Sequence, residues 1–378
     1  MDSFQVEDVL SRFSPYLLST SPDALSTVAD REAAALVQAS GLEGLDAWLL
    51  DLSSESPTGT FKDWVAALTV AHCLSNGIER FVSQSSGNTA NALAYYAERA
   101  GIQCLVLYPA RSRYKIHEAS RARHGVTLVE IDAPEPLIKA ITTQLAERAE
   151  APWLPDLALQ IEGNRLRAFV LHEAMGLSTD YFAWHVQALS SGYGILGYYD
   201  VAMDLAGRNR LGCSRLLGVQ QEAVSPYVDA HYCIDPAPTG TALAEPTLFR
   251  SQPPPSLIDR ISRIVDESGG MLLRLSNSAL AERLEQAVGV LDLAGLAPQR
   301  VELPDGSSVF REMAPVIAVA GVLEALAAGD VGVSERLLVT VTGGSRPIPG
   351  GISPPGVRLT GVESAEEAVS EILLSCGW

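Results

Sequence analysis

The stretch "RFVSQSSGNTANALAYYAERAGIQCLVLYP", Arg80 to Pro109, decides the fold. Its two ends, "RFVSQSS" and "QCLVLYP", are apolar runs of strand length. Between them "GNTANALAYYAERAG" is alanine-rich, helical in length and closed by Gly101. A strand, a helix and a second strand in succession need a crossover connection, which lays the strands parallel and covers the sheet with the helix.

The same alternation extends in both directions. Upstream, "AWLLDLS" (47–53) reads as a strand and "KDWVAALTVAHCLSNG" (62–77) as a helix stopped by Asn76 and Gly77. Downstream, "VTLVEID" (126–132) is another strand. A second set follows with "HVQALSS" (185–191), a glycine loop, the helical "ILGYYDVAMDLAG" (195–207) and the strand "RLLGVQQ" (215–221). It closes with the apolar helix "APVIAVAGVLEALAAG" (314–329) and the strand "RLLVTVTGG" (336–344). Two such sets predict an α/β protein of two doubly wound lobes with the active site in the cleft between them. The expected divisions are an N-terminal arm over 1–45, a larger lobe from 46–60 and 160–378, and a smaller lobe over 61–159. "DPAPTGTALAEPTLFRSQPPPSLID" (235–259), rich in Pro, Thr and Ser, reads as a loop that either borders a site or merely connects.

Composition narrows the function. A chain of 378 residues, 47% hydrophobic and 19% charged, can bury one large core or two modest ones. A net charge of −18 opposes nucleic acid and anionic membrane as partners, so an anionic ligand must be held by a local site. Five cysteines without a C-x-x-C pair suit a reducing cytoplasm, and the acidic start "MDSFQVEDVL" does not read as a secretory signal. The six histidines show no ligand spacing, so no metal site is expected. The basic stretch "RSRYKIHEASRARHG" (111–125) is either a solvated helix face or a patch that steers an anionic substrate.

Four short blocks carry chemistry. In "SPTGTFKDW" (56–64), Lys62 opens an apolar helix, where free backbone N–H groups and the positive dipole end disfavour an ammonium. A lysine so placed can be a neutral amine and condense with an aldehyde, although a solvated surface lysine is the other reading of those residues. In "SQSSGNTANALAYYAERAGI" (83–102), Ser85, Ser86, Gly87 and Thr89 present donors at a helix start, suited to a carboxylate or simply to an N-cap. In "ALSSGYGILGYYD" (188–200), glycines let backbone N–H groups approach a phosphate at another helix start. Finally, "LVTVTGGS" (338–345) is a strand ending in a glycine turn.

Taken together, these blocks resemble the threonine synthase and cysteate synthase family of fold-type II pyridoxal 5′-phosphate (PLP) enzymes, whose architecture is tryptophan synthase β-like. "SPTGTFKD" is similar to the family's P-T-G-S-F-K-D segment, with Trp64 where arginine is usual, and "SSGNT" to its S-[SA]-G-N-[TH] block. The resemblance implies that Lys62 holds PLP and is the catalytic base, with Asn88 beside the ring hydroxyl. Ser191, Gly192, Tyr193, Gly194 and Ile195 would cradle the cofactor phosphate, and Thr342 would face the pyridine nitrogen. Tyr193 and Ile195 are bulkier than the residues of the G-N-A-G-N loop of threonine synthases. "QIEGNRLRAF" (160–169) is similar to R-I-E-G-Q-K-T-x-A-F, with Asn164 and Arg165 in place of Gln and Lys, which makes Arg165 a candidate grip on an anionic leaving group. "YFAWHVQALSSGYGILGYYDVAMDL" and "GGMLLRLSNSALAERL" look more like cysteate synthases, which displace phosphate from phosphoserine with sulfite.

What the resemblance implies is β-replacement or elimination on a phosphorylated or otherwise activated amino acid such as O-phosphoserine, with a small nucleophile as second partner and a homodimer as assembly. Threonine synthase itself, a lyase or synthase of specialised metabolism, and a non-catalytic PLP-fold binding protein are the alternatives.

Overall fold

A computed structural model describes residues 3–175, 182–209, 213–236, 252–303, 305–346 and 356–378. The strands in chain order are β1 (Ser3–Val6), β2 (Ala34–Gln38), β3 (Ala47–Asp51), β4 (Arg80–Gln84), β5 (Gln103–Pro109), β6 (Val126–Ile131), β7 (Trp184–Ala188), β8 (Arg215–Gln221), β9 (Met271–Leu275), β10 (Arg300–Glu302), β11 (Ser308–Phe310), β12 (Leu337–Val341) and β13 (Val357–Leu359). They form a seven-stranded sheet, β1-β2-β3-β12-β7-β8-β9, a four-stranded sheet, β13-β6-β5-β4, and the ribbon β10-β11. The four-stranded sheet is parallel throughout, and in the larger sheet only β2 is reversed, antiparallel to both β1 and β3.

The central strands β3, β7 and β12 are buried along their whole length, as parallel strands covered on both faces must be. Successive side chains alternate between faces. In β7, Trp184, Val186 and Ala188 pack into the same cluster as the apolar helix Ala314–Ala328. His185 and Gln187 therefore point to the opposite face, and this places polar groups beneath the cleft. The helix Lys62–Asn76 ends where the sequence predicts, at Gly77, whose φ of 66° lets its N–H reach the carbonyls of Cys73 and Leu74.

Three placements depart from the expected divisions. The N-terminal arm contributes β1 and β2 to the larger sheet. At the other end, β13 pairs with β6, and the helix Ala365–Cys376 packs on the helix Glu135–Arg148, so the C-terminal segment lies with the smaller sheet and not the larger. Burial of Leu359, Val369 and Ile372 against Val129, Ile131 and Ile138 holds it there. Of the proline-rich stretch 235–259, residues 237–251 lie outside the described residues. Its end begins the helix Pro255–Ser268, with Pro255 in the first turn and Leu257, Ile261 and Val265 buried at four-residue spacing.

The loops that follow β3, β4, β7 and β12 converge on a cavity of about 540 Å³. All four leave the carboxyl ends of their strands, the usual place for ligands in open α/β sheets. No helix among the described residues is long and apolar enough to cross a membrane.

Candidate active site

Lys62 reaches the cavity because its loop is fastened from both sides. Thr60 bridges to Gly343, and the Phe61 N–H donates to the carbonyl of Thr342 at 3.1 Å, which ties the loop to the end of β12. Within the loop, the carboxylate of Asp63 accepts the Thr58 N–H at 2.8 Å and the Thr58 hydroxyl at 2.6 Å. Asp63 is thus the clamp that fixes the turn in front of Lys62, a task the sequence left unassigned.

Burial pulls the Lys62 amine down from its ordinary value to about 7, and the nearby positive charge of Arg167 pulls the same way, while Glu312 opposes them. A substantial fraction is therefore neutral near pH 7. The amine sits 4.3 Å from the centre of the Phe61 ring, and the guanidinium of Arg167 lies 4.2 Å from the same ring.

Across the cavity, Asn88 begins the helix Asn88–Ala100. Its Nδ2 donates to Glu312 at 2.6 Å, so its Oδ1, buried and without a hydrogen-bond partner, is the end left for a donor such as a ring hydroxyl. Ser86 and Thr89 line the cavity. Ser85 lines it too, but its hydroxyl already accepts the N–H groups of Gly87 and Ala90 at 3.0 and 2.8 Å. Gly87 has a φ of 131°, and a Cβ there would fall 2.6 Å from the side chain of Lys115. It shapes the wall by letting Lys115 pass.

Ser191, Gly192, Tyr193 and Gly194 line the cavity as well, and the Tyr227 hydroxyl holds this loop by donating to the carbonyl of Ser191 at 2.8 Å. Ile195 is fully buried and outside the lining, with its N–H donated to the carbonyl of Gly192 at 3.1 Å. Its expected place in the cradle narrows to packing behind it. Thr342 lines the floor. The cradle, the orphaned Asn88 oxygen, Thr342 and the weakly basic lysine together fit PLP: donors for a phosphate, an acceptor for a ring hydroxyl, a hydroxyl for a ring nitrogen and an amine for an aldehyde.

Arg165 is elsewhere. It points away from the cavity and pairs with Asp200, its Nε 2.7 Å from the carboxylate. The helix Leu157–Ala174 turns Asn164, Arg167, Ala168 and Leu171 inward, and residue 165 falls off that stripe. Sequence reasoning missed the inward arginine, Arg167, and also Gln187, Lys115 and Glu312. Glu312 accepts from Lys115 Nζ at 2.8 Å in a pair almost wholly sealed from solvent. The signal for Arg167 lay in helix phase; for Glu312 it was a carboxylate directly before the apolar run 313–323, a place where burial demands a partner.

The description of a family model, pyridoxal-phosphate dependent enzyme, matches residues 31–343. Threonine synthase of Mycobacterium tuberculosis is 26% identical over 302 residues, covering 78% of this chain and 75% of that protein. Cysteate synthase of Methanococcoides burtonii is 24% identical over 303 residues, covering 76% and 66%. Among solved structures, a T.th. threonine deaminase superposes with a TM-score of 0.63 at 21% identity, covering 92% of this chain and 97% of that one. With a matching family model over most of its length and a cavity whose donors, acceptor and amine suit the cofactor, the chain belongs to the pyridoxal-phosphate dependent enzymes.

Proposed function

We propose that the protein catalyses replacement or elimination at the β-carbon of a phosphorylated amino acid, O-phosphoserine being the preferred candidate. The observation that carries this reading is Lys62: an amine brought close to neutrality, in a cavity that two helix starts, at Asn88 and Tyr193, also line. When bound, PLP supplies an aldehyde for the amino group and an electron sink for the α-carbanion.

The chain's own residues do the rest. Ser86, Thr89 and the N–H groups at the start of the helix Asn88–Ala100 bind the substrate carboxylate and so orient the α-carbon. Lys62 Nζ, neutral for part of the time at pH 7, takes the proton from that carbon. Asn88 and Thr342 would hold the ring by its hydroxyl and its nitrogen, and a hydroxyl in place of a carboxylate at Thr342 would leave that nitrogen without an acid to protonate it, which would favour elimination and replacement over transamination. Arg111 lines the same wall and has no ion-pair partner among the described residues, so it takes the role of grip on the departing phosphate that Arg165 cannot fill. Resemblance to cysteate synthases supports sulfite or another small anion as the incoming nucleophile.

Phosphate release separates the readings. Purified protein should release phosphate from O-phosphoserine, faster with sulfite present, and Lys62→Ala should abolish it. Release from O-phosphohomoserine alone would make the protein a threonine synthase, and 2-oxo acid without phosphate would make it an ammonia-lyase. No release and no 2-oxo acid from a protein that binds PLP would favour the non-catalytic alternative. A homodimer in the cytoplasm belongs to the same reading, and light scattering tests its first half.

A further inference from the structure

Arg167 is a cation without a counter-ion. It is completely buried, it has no ion-pair partner among the described residues, and its Nε and Nη2 find no hydrogen-bond acceptor. Its one hydrogen bond runs from Nη1 to Oε1 of Gln187 at 2.8 Å. Such a group is costly unless an anion comes near it.

Its position says where that anion sits. A Cβ built on Gly194 would lie 2.8 Å from Arg167 Nη1, 3.0 Å from Nη2 and 2.9 Å from Gln187 Nε2. Gly194 is in the first turn of the helix Tyr193–Asn209, so the guanidinium and the amide lie directly against the start of a long helix, where the dipole is already positive. A cation at that end adds to the local positive charge and strengthens it as an anion site.

Gln187 connects this buried charge to the cavity. Arginine can only donate, so the glutamine must turn its oxygen toward Arg167 and its NH₂ group away. Gln187 lines the cavity together with Gly192 and Gly194, and its Nε2 donates to no protein atom among the described residues. We infer that Gln187 is a direct ligand of the cofactor phosphate, supplementing the backbone donors of the glycine loop, and that Arg167 is the positioning residue that locks its amide and supplies the field behind it. Glycine at 194 is then required by this pair: any side chain there would displace the guanidinium or the amide. The inference concerns the cofactor alone and holds whichever amino acid the enzyme accepts.

The test compares PLP with pyridoxal, which keeps the aldehyde and lacks the phosphate. Protein stripped of cofactor is titrated with each, the visible absorbance band reporting attachment to Lys62, and the ³¹P resonance of bound PLP is followed across pH. Gln187→Leu should reduce the preference for PLP over pyridoxal by about 10- to 100-fold, the worth of one hydrogen bond to a charged group. The band at saturating pyridoxal should match that of the wild type. Arg167→Met should reduce the preference as far, and Arg167→Lys should restore part of it. A preference within twofold of wild type in Gln187→Leu overturns the inference, and a loss in Arg167→Met without one in Gln187→Leu overturns the assignment of Gln187 as the ligand. Should Arg167→Met not fold, Gln187→Glu decides: a carboxylate there must lower the preference at least as far as leucine does, and a wild-type value refutes the site.

Discussion

Lys62 and Asp63 are neighbours pushed in opposite directions by the same cause. Burial lowers the amine from its ordinary value to about 7 and raises the carboxyl to about 7. Between pH 7 and the lysine's unfolded value of about 10, the unfolded chain holds the extra proton, so the lysine's contribution to stability rises with pH over that window. Lys62→Met should therefore melt above the wild-type apoprotein below about pH 7, with the gap closing as pH approaches 10 in a thermal-unfolding series. For Asp63 the folded form holds the extra proton between about pH 4 and 7, so its contribution falls as pH rises, and Asp63→Asn should flatten that lower part of the profile. Lys62 was legible through the resemblance of "SPTGTFKD" to the family's segment, since the helix start and the apolar run alone left a solvated lysine open. The sequence reading singled out Arg165 and gave Arg167 no role, although the two lie more than half a turn apart on one helix. Only the stripe Asn164, Arg167, Ala168 and Leu171 shows which one faces in.

At the level of elements, Glu312 ties together parts of the chain that belong to different sheets. It precedes the helix Ala314–Ala328 on the larger sheet and receives Lys115 and Asn88 from segments attached to the smaller one. Arg311 beside it donates to the carbonyl of Lys115 and contacts the imidazole of His117, which burial and the arginine's charge together keep neutral. Glu312→Ala breaks the buried pair with Lys115 and takes the acceptor from Asn88, which should cost about 3–5 kcal/mol in urea unfolding. Glu312→Gln, which keeps an acceptor, should cost less. The long helices and central strands were readable because each carries its own period. β10, β11 and β13 have three residues apiece and become strands only through their partners, so no local pattern announces them.

On the scale of the whole molecule, the chain begins in the larger sheet, builds most of the smaller one, returns to the larger, and ends in the smaller. Removing residues 356–378 would uncover the outer side of β6 and take Leu359, Val369 and Ile372 out of a common core. At roughly 1.5–3 kcal/mol for each such side chain, the loss is about 5–9 kcal/mol, enough to loosen the smaller sheet. Limited proteolysis of the truncated protein should then cut first within residues 80–131, the span of that sheet. The expected split at 160–378 missed this return because a three-residue strand gives no signal of which sheet it will join. The order of synthesis adds a further constraint. β4, β5 and β6 leave the ribosome well before β13, their fourth neighbour, so a nascent chain must hold an unfinished parallel edge until residues 357–359 follow. Catalytic competence should accordingly wait until residues 356–378 have emerged and paired with β6, and stalled chains lacking that segment should be a preferred cargo for chaperones.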